Sequence, residues 1–115
     1  MREAQDPELA SLPVLSLAVV VLTRSDCGAC AEYAQTIAHV REQDTRLRPI
    51  EFLKVTLDRG GTAAFKRQHQ WVARVEDLPH TILFRNGTLV DRFSASTKWL
   101  LLEHLEEAGF LTRGG

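Results

Sequence analysis

The residues with the clearest chemistry are Cys27 and Cys30, the only cysteines in the chain, with Gly28 and Ala29 between them. At that spacing two sulfurs can cycle between dithiol and disulfide: one thiolate attacks a partner's disulfide, and the second thiol displaces the mixed disulfide that forms. A thiolate is favoured at the start of a helix, where unpaired backbone N–H groups and the positive end of the helix dipole face it. Two other readings fit the same pair. The thiols can be inert and partly buried, or they can be half of a metal site, although zinc takes four ligands and the chain has no second cysteine pair. His80 could supply a third ligand or shuttle a proton, but a lone histidine beside a loop is more often a surface residue.

The surrounding sequence sets the cysteines where a strand hands over to a helix. Leu17-Ala18-Val19-Val20-Val21-Leu22 is an apolar, β-branched run suited to a strand covered on both faces. After it, Cys30, Tyr33/Ala34, Ile37/Ala38 and Val40 recur at helical spacing, which predicts a strand over 15–23 and a helix over 29–43. Ser25 or Asp26 can cap that helix, leaving Cys27 in its first turn. Pro49 closes a connection over 46–49, and residues 50–58 read as a second strand, parallel to the first across the helix. Gly60-Gly61 breaks the chain, Thr62 can cap, and Phe65, His69 and Val72 mark a second helix with a basic outer side. Leu78-Pro79-His80 then leads into strands over 81–85 and 88–93 around Asn86-Gly87, a strong hairpin signal because both turn positions need positive φ. A last helix starts at Ser96 or Thr97, turns Leu101, Leu105 and Ala108 inward, with Leu100 and Leu102 widening the stripe, and ends at Gly109. Trp71 and Trp99 are expected to pack, and His39, His69 and His104 to lie on the surface or at its boundary.

Bulk properties narrow the class of function. A chain of 115 residues with 44% hydrophobic content forms one domain able to bury its own core. Its 14 basic and 15 acidic residues are scattered and leave a net charge of -1, which argues against nucleic acid and anionic membranes as partners. The apolar stretch over 12–22 follows Glu3, Asp6 and Glu8 and is interrupted by Pro13, unlike a signal peptide, so a cytoplasmic monomer is expected. Residues 1–11 are polar and are expected to form a frayed or loosely docked arm.

The order β-α-β-α-β-β-α, with Cys-Gly-Ala-Cys opening the first helix and Pro79 just before the hairpin, resembles the thioredoxin fold over residues 15–109. Lys54-Val55-Thr56-Leu57-Asp58 resembles the Lys-x-Asn-x-Asp strand end of that family, Gly61-Thr62-Ala63 its next helix start, and Leu78-Pro79-His80-Thr81 its Ile-Pro-Thr segment. The resemblance implies an α/β three-layer sandwich with a mixed central sheet over 15–112, preceded by a short arm over 1–14. It implies a thiol–disulfide oxidoreductase acting on protein disulfides, with Cys27 attacking, Cys30 resolving, no bound cofactor, and a reductase or other dithiol as electron donor. It further implies a cis Pro79 beside the cysteines, exposing the Leu78 backbone to an extended substrate. By charge alone, Asp26 places a negative group next to the Cys27 thiolate, and Lys54 is a strand-end cation that can tune the site from below. Three positions depart from the family: Asp26 stands where a tryptophan is usual, Ala29 where a proline is, and Val21 where a buried aspartate assists proton transfer at the resolving cysteine. The Gly-Gly glutathione segment of glutaredoxins is absent after the hairpin. A second class of function is therefore carried forward, a non-catalytic binding or chaperone-like module that docks a partner beside Cys27 and Leu78.

Overall fold

The computed structural model describes residues 1–94 and 97–112. Its strands are β1 (Arg2–Glu3), β2 (Leu17–Thr23), β3 (Glu51–Thr56), β4 (His80–Arg85) and β5 (Thr88–Ser94). Its helices are α1 (Asp6–Leu9), α2 (Gly28–Gln43), α3 (Ala63–Gln68) and α4 (Lys98–Glu107), with 3₁₀ turns at Leu12–Val14, Thr45–Leu47 and Gln70–Arg74. The sheet order is β1-β3-β2-β4-β5, with β1, β3 and β2 parallel and β4 and β5 antiparallel to their neighbours. This is the expected α/β architecture with a mixed central sheet. No described helix is long and apolar enough to cross a membrane.

The apolar run of β2 is buried from Ala18 to Thr23 because it lies at the centre of the sheet with a layer on each face. Val19 and Val21 meet Tyr33, Ile37 and Val40 of α2 and Leu101 and Leu105 of α4 in one core. Ala18, Val20 and Leu22 point the other way, into a core with Phe65 of α3, Val72 and Phe84. Alternation along one strand thus divides the molecule into two cores, and each fully buried Leu or Phe stabilises by roughly 1.5–3 kcal/mol relative to exposure. Asn86 and Gly87 carry positive φ in the hairpin, and a Cβ on Gly87 would lie 2.8 Å from the Pro13 backbone.

Several sequence expectations require correction. The arm is neither frayed nor loosely docked. β1 is an edge strand on β3, the Ala4 N–H donates to the Lys54 carbonyl at 2.8 Å, and Ala4, Leu9 and Leu12 are buried in the second core. The polar composition of the arm hid a few well-spaced apolar anchors. The second strand ends at Thr56 rather than residue 58, because the chain turns there, with Arg59 N–H bonded to the Thr56 carbonyl. The second helical pattern breaks at His69, whose ring packs against Phe65 and Phe84, and Val72 reaches the core from a 3₁₀ turn. Trp99 does not pack: it is 70% exposed under the Lys98 ammonium, because it lies off the Leu101/Leu105 stripe of α4, and Leu100 is exposed as well. Ser96 falls outside the described residues, and Thr97 is the N-cap of α4, accepting from Leu100 N–H.

Candidate active site

The chain leaves β2 at Thr23 and enters α2 at Gly28, so the segment between them crosses the end of the sheet where β2 and β3 finish. Two contacts hold that crossing. Leu57 N–H donates to the Thr23 carbonyl, and Asp58 accepts from both the backbone N–H and the hydroxyl of Ser25. These Ser25 bonds, hydroxyl first, hold the Asp58 carboxyl below its usual range. Neither Ser25 nor Asp26 caps α2. The cap is Cys27 itself, whose Sγ accepts the Cys30 N–H at 3.1 Å.

Cys27 and Cys30 are joined as a disulfide, with their Cα atoms 5.2 Å apart. Cys27 is half-buried and Cys30 is 4% exposed, so an incoming group meets Cys27 first. The Leu78–Pro79 bond is cis, Pro79 is buried, and the Leu78 carbonyl oxygen lies 4.0 Å from the Cys27 sulfur. Beside Leu78, a cavity of about 420 Å³ is lined by Arg24, Leu57, Lys66, Val72, Val75 and Glu76 among others. Behind the disulfide, a smaller cavity of about 190 Å³ is lined by both cysteines, Thr23, Lys54, Thr56 and Arg59 among others.

Lys54 therefore shares a cavity with the sulfurs, paired in register with Val21 across the β2–β3 ladder. Asp26 is directed differently: its side chain is 78% exposed and pairs with Arg24 at 3.5 Å, so a cation offsets much of the charge it brings to Cys27. His80 is not a surface residue and does not join the cysteines. It is buried on the α3 face, opposite Leu22 in register, with Nδ1 3.0 Å from the Ser94 hydroxyl and Nε2 3.4 Å from Arg92. Burial, then the Arg92 charge, lowers its pKa.

Tyr33 was visible in the sequence only as an apolar position. Its hydroxyl lies fully inside, 3.1 Å from the Thr81 hydroxyl, and burial pushes its pKa up to about 12. The bond ties the helix that carries the cysteines to the strand that follows Pro79. Tyrosine at a core-facing position of a helix is the one sequence signal that could have marked it, since a buried hydroxyl needs a partner.

No protein-family model and no curated protein sequence matches the chain. Solved structures do. The thioredoxin of Fasciola hepatica superposes with a TM-score of 0.73 at 24% identity, over 94% of this chain and 99% of the other. Thioredoxin f from spinach chloroplast gives 0.74 at 16% identity, over 94% and 85%. Thioredoxin f2 of Chlamydomonas reinhardtii gives 0.69 at 18% identity, over 93% and 94%. At these identities the likeness is one of fold.

Proposed function

We propose that this chain, a thioredoxin fold carrying a redox-type cysteine pair, is a thiol–disulfide oxidoreductase that acts on protein disulfides. The observation that carries the reading is the asymmetry of the pair: Cys27 is accessible at the helix start, while Cys30 lies buried one turn on. The Cys27 thiolate attacks a substrate sulfur, the substrate's S–S bond breaks, and a mixed disulfide forms. Cys30 then attacks Cys27, the substrate's second sulfur leaves as a thiolate, and the Cys27–Cys30 disulfide remains. Two electrons pass from the dithiol to the substrate, and a reductase or another dithiol restores them. The Cys30 N–H aimed at the Cys27 sulfur supports this order, because it stabilises a thiolate there. The Leu78 backbone beside Cys27, and the cavity next to it, support docking of an extended protein segment.

Val21 favours a second reading, docking without turnover, because an apolar residue occupies the sheet position below the pair. The test is a dithiothreitol-coupled reduction of a small protein disulfide, with Cys27→Ser as control. Turnover that vanishes in the control, and a mixed disulfide that accumulates with Cys30→Ser, support the oxidoreductase. Equal background rates in wild type and control would overturn it and leave the docking reading.

A further inference from the structure

Resolution by Cys30 requires its thiol to lose a proton, and a buried thiol gives one up reluctantly. The polar residues around the cavity that Cys30 shares are hydroxyls and cations: Thr23, Ser25, Thr56, Lys54, Arg59 and Arg24. Carboxylates near that end of the sheet are otherwise engaged. Asp26 faces solvent with Arg24, and both oxygens of Asp58 are taken by Ser25. A further carboxylate reaches the hydroxyls of this cavity from the arm. Glu3 stands beside Lys54 in the β1–β3 register, and its Oε1 accepts from the Thr56 hydroxyl at 2.6 Å and from Arg59 at 3.2 Å. Its Oε2 is buried and has no hydrogen-bond partner among the described residues. Thr56 in turn lies 3.4 Å from the Thr23 hydroxyl and lines the cavity with Cys30.

An unpaired, buried carboxylate oxygen is costly to keep unless it has a use. The other oxygen of the same carboxylate, Oε1, is one hydroxyl away from the space that the resolving sulfur faces. Resting on the oxidoreductase reading, we propose that Glu3 is the terminal proton acceptor for Cys30, acting through Thr56, in the absence of any acid at Val21. The Cys30 S–H proton passes to a water in the cavity, that water gives a proton to the Thr56 oxygen, and Thr56 gives its own hydroxyl proton to Glu3. The Cys30 thiolate then closes the disulfide as above, and the departing substrate thiolate takes a proton from solvent. Glu3 touches none of the reacting sulfurs, so it is a positioning and relay residue rather than a catalytic one. The cations around it, Lys54 and Arg59, hold the relay end of the cavity positive and favour the nascent thiolate, while Arg2 on the same strand is paired with Glu51.

The test is stopped-flow reaction of the fully reduced protein with dithiobis(nitrobenzoate), which releases one chromophore as Cys27 attacks and a second as Cys30 resolves. Glu3→Gln keeps the shape and removes the charge, on an edge strand where folding is readily checked by melting. At pH 7 the second phase should slow relative to the first by about 10-fold or more, below the 10²–10⁴ typical of direct proton transfer because water still has access. The gap should close as pH rises past about 8.5, where an ordinary thiol ionises unaided. Thr56→Val should slow the same phase, and Thr56→Ser, which keeps the hydroxyl, should lose less. An unchanged second phase in Glu3→Gln overturns the proposal, and so does a slow Glu3→Gln beside a Thr56→Val that resolves at the wild-type rate. If the wild type shows no first phase, the oxidoreductase reading itself fails and the relay fails with it. A normal first phase with no Glu3 effect sinks the relay alone.

Discussion

A helix opens with backbone N–H groups that lack acceptors, and α2 and α3 meet that need in opposite ways. α2 is capped from within, by the sulfur of Cys27. Thr62 is the N-cap residue of α3, yet its hydroxyl makes no cap and is buried without a partner among the described residues. Its acceptors come from Asp6 in the arm, whose two carboxylate oxygens each take one N–H, from Ala64 and Phe65, at 3.0 Å. A local cap satisfies the start of α2 without an acceptor from a distant part of the chain. A remote cap does the reverse: it fastens the arm and α3 together, and β1 with its Glu3 is carried into place by the same arm.

The largest effect that tests this contrast is chemical. Cys27→Ser retains a side-chain acceptor at the N-cap and removes the nucleophile, so disulfide reduction should fall to background while melting of the reduced protein stays close to wild type. Cys27→Ala removes the cap too, and should cost about 1 kcal/mol more than serine in denaturant unfolding. If the two variants were equally stable, the sulfur would not be acting as a cap.

Next in size is the arm. Leu9→Ala removes a buried anchor from the second core and should destabilise by about 2–3 kcal/mol, within the range for large-to-small core changes. A loosely held arm would show almost no change. The proposal for Glu3 adds a kinetic signature, since an arm that detaches should slow resolution by Cys30 before it slows attack by Cys27.

A smaller effect concerns how α2 is held along its length. Tyr33→Phe leaves the Thr81 hydroxyl buried without its partner and should cost about 1 kcal/mol. Because that bond joins α2 to the strand after Pro79, the variant should also loosen Leu78 relative to Cys27, read as faster amide hydrogen exchange at Thr81. Loss of stability without faster exchange there would make the bond a packing feature of the core only.

These contrasts also mark what the sequence could disclose. Strand β2, helix α2, the hairpin and the Cys-x-x-Cys turn were legible because each is written within a few adjacent residues, as hydrophobic period, turn chemistry or cysteine spacing. Asp6, Glu3, Asp58 and Tyr33 were not, because their partners lie between 33 and 59 residues away and only the folded sheet brings them together. The capping of α2 was misread for a different reason: Ser25 and Asp26 are good caps in isolation, but Ser25 is drawn to Asp58 and Asp26 to Arg24. His80 was misjudged because a position beside a proline loop reads as exposed, whereas it opens β4 and is covered by Trp71 and Arg92. Local pattern marks the cysteine pair, and the groups around it are brought there by tertiary structure.

The smallest effect separates the two caps by their response to acid. The N–H groups of α3, Ala64 first, hold the Asp6 carboxyl below its usual 3.8, so the folded state binds this proton less readily than the unfolded chain. Its contribution is fully present above 3.8 and is lost as pH falls through the lower folded value. Asp58 carries a shift of the same sign through Ser25. The disulfide sulfur that caps α2 does not titrate, so that cap has no acid limb. Followed by NMR from neutral pH downward, the Ala64 and Phe65 amide resonances should move with a midpoint below 3.8, and Ser25 should move with Asp58, while Cys30 stays still. Asp6→Asn should erase the Ala64 and Phe65 titration, lower the melting temperature at neutral pH, and approach wild-type stability in strong acid, where Asp6 is protonated and has lost its own advantage. A midpoint at or above 3.8 would mean that Asp6 gains nothing from capping α3, and that the arm is held by its apolar anchors alone.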